Sequence, residues 1–223
     1  MVGPLRPMFV LFGSSIVQFS YTNGGWGAHL TTVYSRQADI VLRGYSGWNS
    51  KRALAIVDQV FPQDAVVQPD LVITYFGGND AMEYNPSGTS PHVPLEEYIE
   101  NMRKIALHLK GLSDKTRLIF LSCPPLNEEQ YISAYGNEIV RTNETSERYS
   151  EALLKLCKEI GVKAIDLFNS IRRKDNWQNI SFTDGIHLSA EGSSIVAEEI
   201  EKVLKQAEWE PSLNSDSMPT EFP

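Results

Sequence analysis

A three-layer α/β/α sandwich built on a parallel sheet is the fold that the sequence predicts, and three observations predict it. Short apolar runs recur at residues 8–12, 40–42, 71–76, 118–122 and 164–168. They do not alternate cleanly with polar residues, and near-continuous apolar runs suit strands covered on both faces. Between them lie stripes at helical spacing: Leu95, Ile99, Met102, Ala106 and Leu109, then Leu153, Leu156, Cys157 and Ile160, then Val196, Ile200 and Val203. Ser189 stands before the last stripe as an N-cap. Strand alternating with helix implies right-handed crossover units, so the five runs read as one five-stranded parallel sheet with helices on both faces.

The chain has 223 residues, of which 42% are hydrophobic and 22% charged, enough for an ordinary core. The expected organisation is a single domain over residues 1–207. From 208 to 223 the sequence turns polar and proline-containing, which suits a surface tail. A net charge of −8 argues against a basic surface for nucleic acid or anionic membrane. No run approaches transmembrane length, and the stretch 8–12 is too short for a signal-peptide core, so a cytoplasmic location is expected. On that basis the two sequons, at Asn143 and Asn179, read as chance matches. Cys123 and Cys157 stand in neither metal-ligand nor redox spacing and read as buried free thiols.

In open parallel sheets ligands collect at the carboxyl ends of the strands. The residues with chemistry to offer fall there. Ser14 and Ser15 follow the first run, Gly47 the second and Asn79 the third, while Asp184 and His187 occupy the loop before the last helix. Two long loops, 83–94 and 124–138, follow strand ends on the same edge and are expected to wall a pocket.

Each segment has a bland reading when taken alone. Phe12-Gly13-Ser14-Ser15-Ile16 is a strand-to-helix turn in which the glycine permits a tight bend, and it leaves open which serine is reactive. Gly44-Tyr45-Ser46-Gly47-Trp48-Asn49 is a turn before a helix, without the spacing of a phosphate-binding loop. Gly77-Gly78-Asn79-Asp80 ends the most apolar run, with Asn79 offering amide donors and Asp80 able to cap the following turn. Asp184-Gly185-Ile186-His187 puts a carboxylate and an imidazole three residues apart, close enough for the acid to reach Nδ1 while Nε2 faces a serine. His29, His92 and His108 lie outside any ligand spacing and read as structural. Together these parts supply nucleophile, base, acid and oxyanion donors for acyl transfer, with no metal or organic cofactor required.

Taken in order, these segments resemble the blocks of the SGNH (GDSL-type) serine hydrolases over about residues 9–200. Val10-Leu11-Phe12-Gly13-Ser14-Ser15-Ile16, Arg43-Gly44-Tyr45-Ser46-Gly47-Trp48-Asn49 and Asp184-Gly185-Ile186-His187-Leu188-Ser189 look like the isoamyl acetate-hydrolysing esterase branch, its plant members most of all. The resemblance implies the flavodoxin-like strand order 2-1-3-4-5. It implies Ser15 as nucleophile, because the family serine precedes a Leu or Ile, here Ile16. It implies Gly47 and Asn79 as the oxyanion hole, and Asp184 and His187 as acid and base. Ser14 stands where the family name calls for Asp, which touches loop geometry rather than chemistry. The expectation is a serine esterase acting on a small-molecule ester of a short acyl group. An acetyl esterase for sugars or lipids, with Trp26, Trp48 and Tyr84 as stacking surfaces, and a non-catalytic binding protein are the alternatives.

Overall fold

The computed structural model describes residues 3–22, 24–85, 88, 90–136 and 140–222. Positions 86, 87, 89, 137 and 138 of the two expected pocket loops, and Pro223 of the expected tail, lie outside the described residues. In chain order the elements are β1 (Met8–Gly13), α1 (Ser15–Gln18), a 3-10 turn (Phe19–Tyr21), α2 (Trp26–Val33), β2 (Asp39–Gly44), α3 (Ser50–Val60), β3 (Leu71–Tyr75), α4 (Leu95–Lys110) and β4 (Arg117–Leu121). They continue with α5 (Glu128–Tyr135), α6 (Asn143–Ile160), β5 (Lys163–Ile165), α7 (Leu167–Arg172), α8 (Trp177–Ile180) and α9 (Ala190–Gln206).

The sheet has five strands in the order β2-β1-β3-β4-β5, every pair parallel. Alternate residues of the central strands face opposite layers. Phe12, Phe76 and Phe120 pack with Val57, Met102, Ile105 and Leu153 from α3, α4 and α6. Leu11, Ile73 and Ile119 pack on the other side with Leu30, Val196 and Ile200 from α2 and α9. Both faces of β1 and β3 are therefore buried, which is why their sequences carry no polar alternation.

The helical stripes lie in α4, α6 and α9 as expected, and Ser189 caps α9 by accepting the Gly192 N–H at 3.1 Å. Four expectations are corrected. β2 is an edge strand of intermediate to exposed residues, because it has a neighbour on one side only. The last strand stops at Ile165, where Asp166 accepts the Asn169 N–H at 3.0 Å and starts α7, so Leu167 and Phe168 are buried from a helix rather than a strand. The stretch 124–138 is not all loop: Asn127 accepts the Gln130 N–H at 3.1 Å and starts α5. The expected surface tail is partly buried beside α2. Leu213 and Met218 are buried in the second core cluster, and Gln37 donates to the carbonyls of Ser215 (2.7 Å) and Met218 (2.8 Å).

Candidate active site

β1 ends at Gly13 and α1 begins at Ser15. Gly13 is not needed for a special turn conformation. A Cβ there would stand 2.5 Å from the Tyr75 carbonyl oxygen and from Val17 Cγ2, so its role is close approach. The two serines have different environments. Ser14 is buried, its N–H donates to the Tyr75 carbonyl at 3.2 Å, and its carbonyl accepts from Val17 and Gln18. Ser15 is only half-buried and occupies the first position of α1, at the carboxyl edge of β1. The accessible hydroxyl is thus that of Ser15.

The loop after β2 is tied to this turn. Tyr45 donates its N–H to the Gly13 carbonyl at 2.7 Å, and Ser46 donates its own to Gln18 Oε1 at 2.7 Å. Gly47 follows with φ +80°, a backbone conformation that favours glycine. Asn79 reaches the same loop from the end of β3, its amide nitrogen donating to the Trp48 carbonyl at 2.7 Å. Its amide oxygen accepts from Arg141 at 2.8 Å. Asp80 reaches beyond its own turn. It is buried and accepts the Ser50 N–H at 2.9 Å, so it caps α3 from a neighbouring loop. Burial pushes the Asp80 carboxyl up to about 6 despite the hydrogen bonds from Ser50, and Oδ2 has no partner among the described residues.

Asp184 and His187 stand in a tight turn that an antiparallel bridge between Phe182 and Leu188 closes. Gly185 has φ +94°, and a Cβ there would lie 2.4 Å from Tyr131 N and 2.6 Å from the Asn127 carbonyl oxygen. The turn can therefore press against the start of α5 only with glycine at this position. His187 Nδ1 meets Asp184 Oδ2 at 2.6 Å, while Oδ1 accepts the backbone N–H groups of Ile186 (3.1 Å) and His187 (2.8 Å). Tyr135, from α5, donates to Oδ2 at 2.6 Å. Burial alone would raise the Asp184 carboxyl. The hydrogen bonds from His187, Tyr135 and the two backbone groups outweigh it and hold the carboxyl well below the usual carboxylate range. Asp184 is thus a fixed anion that sets the tautomer of His187, with Nδ1 protonated and Nε2 left as the basic nitrogen.

The segments meet at one place. Phe19, just after α1, packs edge-on against the His187 ring with centroids 5.2 Å apart. Ile16, Gly78 and Ile186, the chain neighbours of Ser15, Asn79 and His187, line one small cavity of about 30 Å³ with Tyr75, Pro124 and Arg141. Among the described residues the His187 ring bonds Asp184 and not the Ser15 hydroxyl; catalytic contacts of this kind are often long until substrate binds.

A model of the GDSL-like lipase/acylhydrolase family matches residues 9–200. The chain belongs to this family. It is 63% identical to the GDSL esterase/lipase WDL1 of Oryza sativa subsp. japonica over 98% of this chain and 85% of that protein. It is 61% identical to the GDSL esterase/lipase CPRD49 of Arabidopsis thaliana, over 100% and 88%. Identity to the isoamyl acetate-hydrolyzing esterase 1 homolog of Bos taurus is 34%, over 85% and 78%. The GDSL protein described here is accordingly a carboxylic ester hydrolase. The fold is shared with an acetyl xylan esterase, AlAXEase, at a TM-score of 0.70, with 18% identity over 88% of this chain and 99% of that one. The lipase/acylhydrolase from Enterococcus faecalis gives the same TM-score with 16% identity over 91% and 97%.

Residues outside the GDSL motifs sort themselves by their contacts. Trp26 is buried and donates from its indole to the Ile16 carbonyl at 3.2 Å, so it is a structural pin and offers no stacking surface. Trp48 stacks on Tyr45 at 4.2 Å, and Tyr84 is exposed. His29 pairs with Glu201, His92 with the Met82 carbonyl, and His108 with the Phe61 carbonyl and Asp58. Cys123 and Cys157 are buried free thiols, and burial raises both above the ordinary thiol range. Sequence reasoning missed Tyr135 and Arg141. The first was hidden in a segment read as loop, and the second lies close to it in sequence with no motif around it. No helix of the described residues is long and apolar enough to cross a membrane.

Proposed function

We propose that this GDSL enzyme hydrolyses esters of small acyl groups, acetates above all, through an acyl-enzyme on Ser15. The observation that carries the reading is the 2.6 Å contact between Asp184 and His187 in a turn whose neighbour Ile186 shares a cavity with Ile16 and Gly78. Ser15 Oγ attacks the ester carbonyl as His187 Nε2 takes its proton. The oxyanion is received by the backbone N–H groups of Ser15 and Gly47 and by the Asn79 amide, with the α1 N-terminus favouring the negative charge. His187 then returns the proton to the leaving alcohol, and the C–O bond to that alcohol breaks. Water, deprotonated by the same imidazole, releases the acid and restores Ser15. Asp184 stays ionised throughout and supports the imidazolium.

A short acyl group fits the small size, about 30 Å³, of the cavity that Ile16, Gly78 and Ile186 line, next in the chain to Ser15, Asn79 and His187. The isoamyl acetate-hydrolysing relatives point the same way. We also propose a cytosolic location, a setting in which two unpaired cysteines are ordinary; fractionation of cells expressing a tagged chain tests it. A p-nitrophenyl ester series tests the acyl preference: kcat/KM highest for acetate and at least about tenfold lower for octanoate supports it. A preference for octanoate contradicts it.

A further inference from the structure

We propose that Arg141 is a positioning residue for the oxyanion donor. It acts through Asn79 rather than on substrate, and the assignment rests on the Ser15 reading above. An asparagine amide has two ends of similar shape, and only its nitrogen end can donate to an oxyanion. The partners decide which end faces the reacting centre. The Trp48 carbonyl can only accept, so it must meet Nδ2, as it does at 2.7 Å. The Arg141 guanidinium can only donate, so it must meet Oδ1, as it does at 2.8 Å. A flipped amide would put donor against donor and acceptor against acceptor. With the observed orientation, one Nδ2 hydrogen is held by Trp48 and the other remains for substrate.

The guanidinium is built for this task. One of its terminal nitrogens bonds Asn79 Oδ1 and the other bonds the carbonyl of Gly78, so a single planar group spans two consecutive residues of the oxyanion loop. Its carbon sits 5.8 Å from the centroid of the Tyr131 ring on α5, which fixes the plane from the far side. Lysine, a point charge, cannot make both contacts in one plane. The positive charge on Oδ1 also polarises the amide and makes its N–H a stronger donor. The Nε–H of Arg141 is buried with no acceptor among the described residues, so these two bonds, not full satisfaction of its donors, are what hold the group. Arg141 lines the small cavity together with Ile16 and Ile186, the chain neighbours of Ser15 and His187.

A kinetic cycle on p-nitrophenyl acetate tests the assignment with the full chain: wild type, Arg141→Ala, Arg141→Lys, Asn79→Ala, and each Arg141 variant combined with Asn79→Ala. The loss of one oxyanion donor costs roughly 10²–10³-fold in kcat, and disordering it should cost a part of that, about 10–100-fold, with KM within about twofold. Because Arg141 acts through Asn79, either double variant should be no more than about twofold slower than Asn79→Ala alone. Effects that multiply in the double variant, a change in KM alone, or wild-type kcat in Arg141→Lys would overturn the assignment. Arg141→Lys keeps the cationic stem, so the test stands if Arg141→Ala fails to fold. Ser15→Ala is measured alongside: activity surviving it removes the basis of both readings, whereas activity lost with it and a multiplicative cycle removes only the role of Arg141.

Discussion

Tyr135 Oη donates to Asp184 Oδ2 at 2.6 Å, and the same carboxylate oxygen faces His187 Nδ1 at 2.6 Å. One oxygen therefore carries two donors, and both fix the line along which the imidazole is held. Burial and this bond to Asp184 push the Tyr135 phenol up to about 12, so it remains a donor through the working range. Asp184 is thus held in part by a helix that the chain contributes from 49 residues away.

Tyr135→Phe removes that donor and leaves the ring. A hydrogen bond to a charged group contributes about 1.5–3 kcal/mol, and Tyr135 is 51% exposed, so the lower end or less applies. The expected result is a kcat about 3–10-fold lower at unchanged KM. Steady-state kinetics on p-nitrophenyl acetate decide it, and a KM effect alone would mean that Tyr135 touches substrate instead.

Asp184→Asn should cost about 10²–10⁴-fold in kcat, because an amide presents either a competing N–H to Nδ1 or no charge to the imidazolium. A stability signature accompanies it. The folded carboxyl lies below its unfolded value, so its contribution is complete above about pH 4 and fades as pH falls toward the folded value. The gap in Tm between wild type and Asp184→Asn should therefore narrow below pH 4. A gap that instead widens on acidification would contradict the assignment of a fixed anion.

Asp80 carries the opposite sign. Its folded value of about 6 lies above the unfolded one, so native stability is lost as pH rises from about 4 through 6 and the loss is complete above that. Asp80→Asn keeps an acceptor for the Ser50 N–H and removes a buried charge whose Oδ2 has no partner among the described residues. Its Tm relative to wild type should rise across that window and stay level at higher pH. Thermal melts at pH 4, 6 and 8 measure this, and a difference independent of pH would show that Asp80 does not titrate there.

How much was legible in the sequence depends on the range over which each feature is determined. The strands at 8–13 and 71–75 were readable because both faces are buried and the apolar run is itself the signal. Ser189 and the α9 stripe were readable because a cap and its helix are local. β5 was overextended because Leu167 and Phe168 are as apolar as a strand, and only Asp166 as a cap marks the change to helix. Ser15, Gly47, Asn79, Asp184 and His187 fall at strand ends or before a helix, where the alternation of elements already pointed. Choosing Ser15 over Ser14 from sequence needed the family pattern, and the structure adds a physical difference: Ser14 is buried and Ser15 is not. Tyr135 and Arg141 were illegible for a simpler reason. Their partners are 49 and 62 residues distant, and nothing local to either side chain signals the contact.

The central claim, that Ser15 is the nucleophile, is tested most directly by covalent labelling. A fluorophosphonate reacts with a serine whose hydroxyl is activated by a neighbouring base, and peptide mass spectrometry locates the adduct. One adduct on Ser15, absent from Ser15→Ala and His187→Ala and retained in Ser14→Ala, is the predicted result. An adduct on Ser14, or undiminished labelling of Ser15→Ala, would contradict the account.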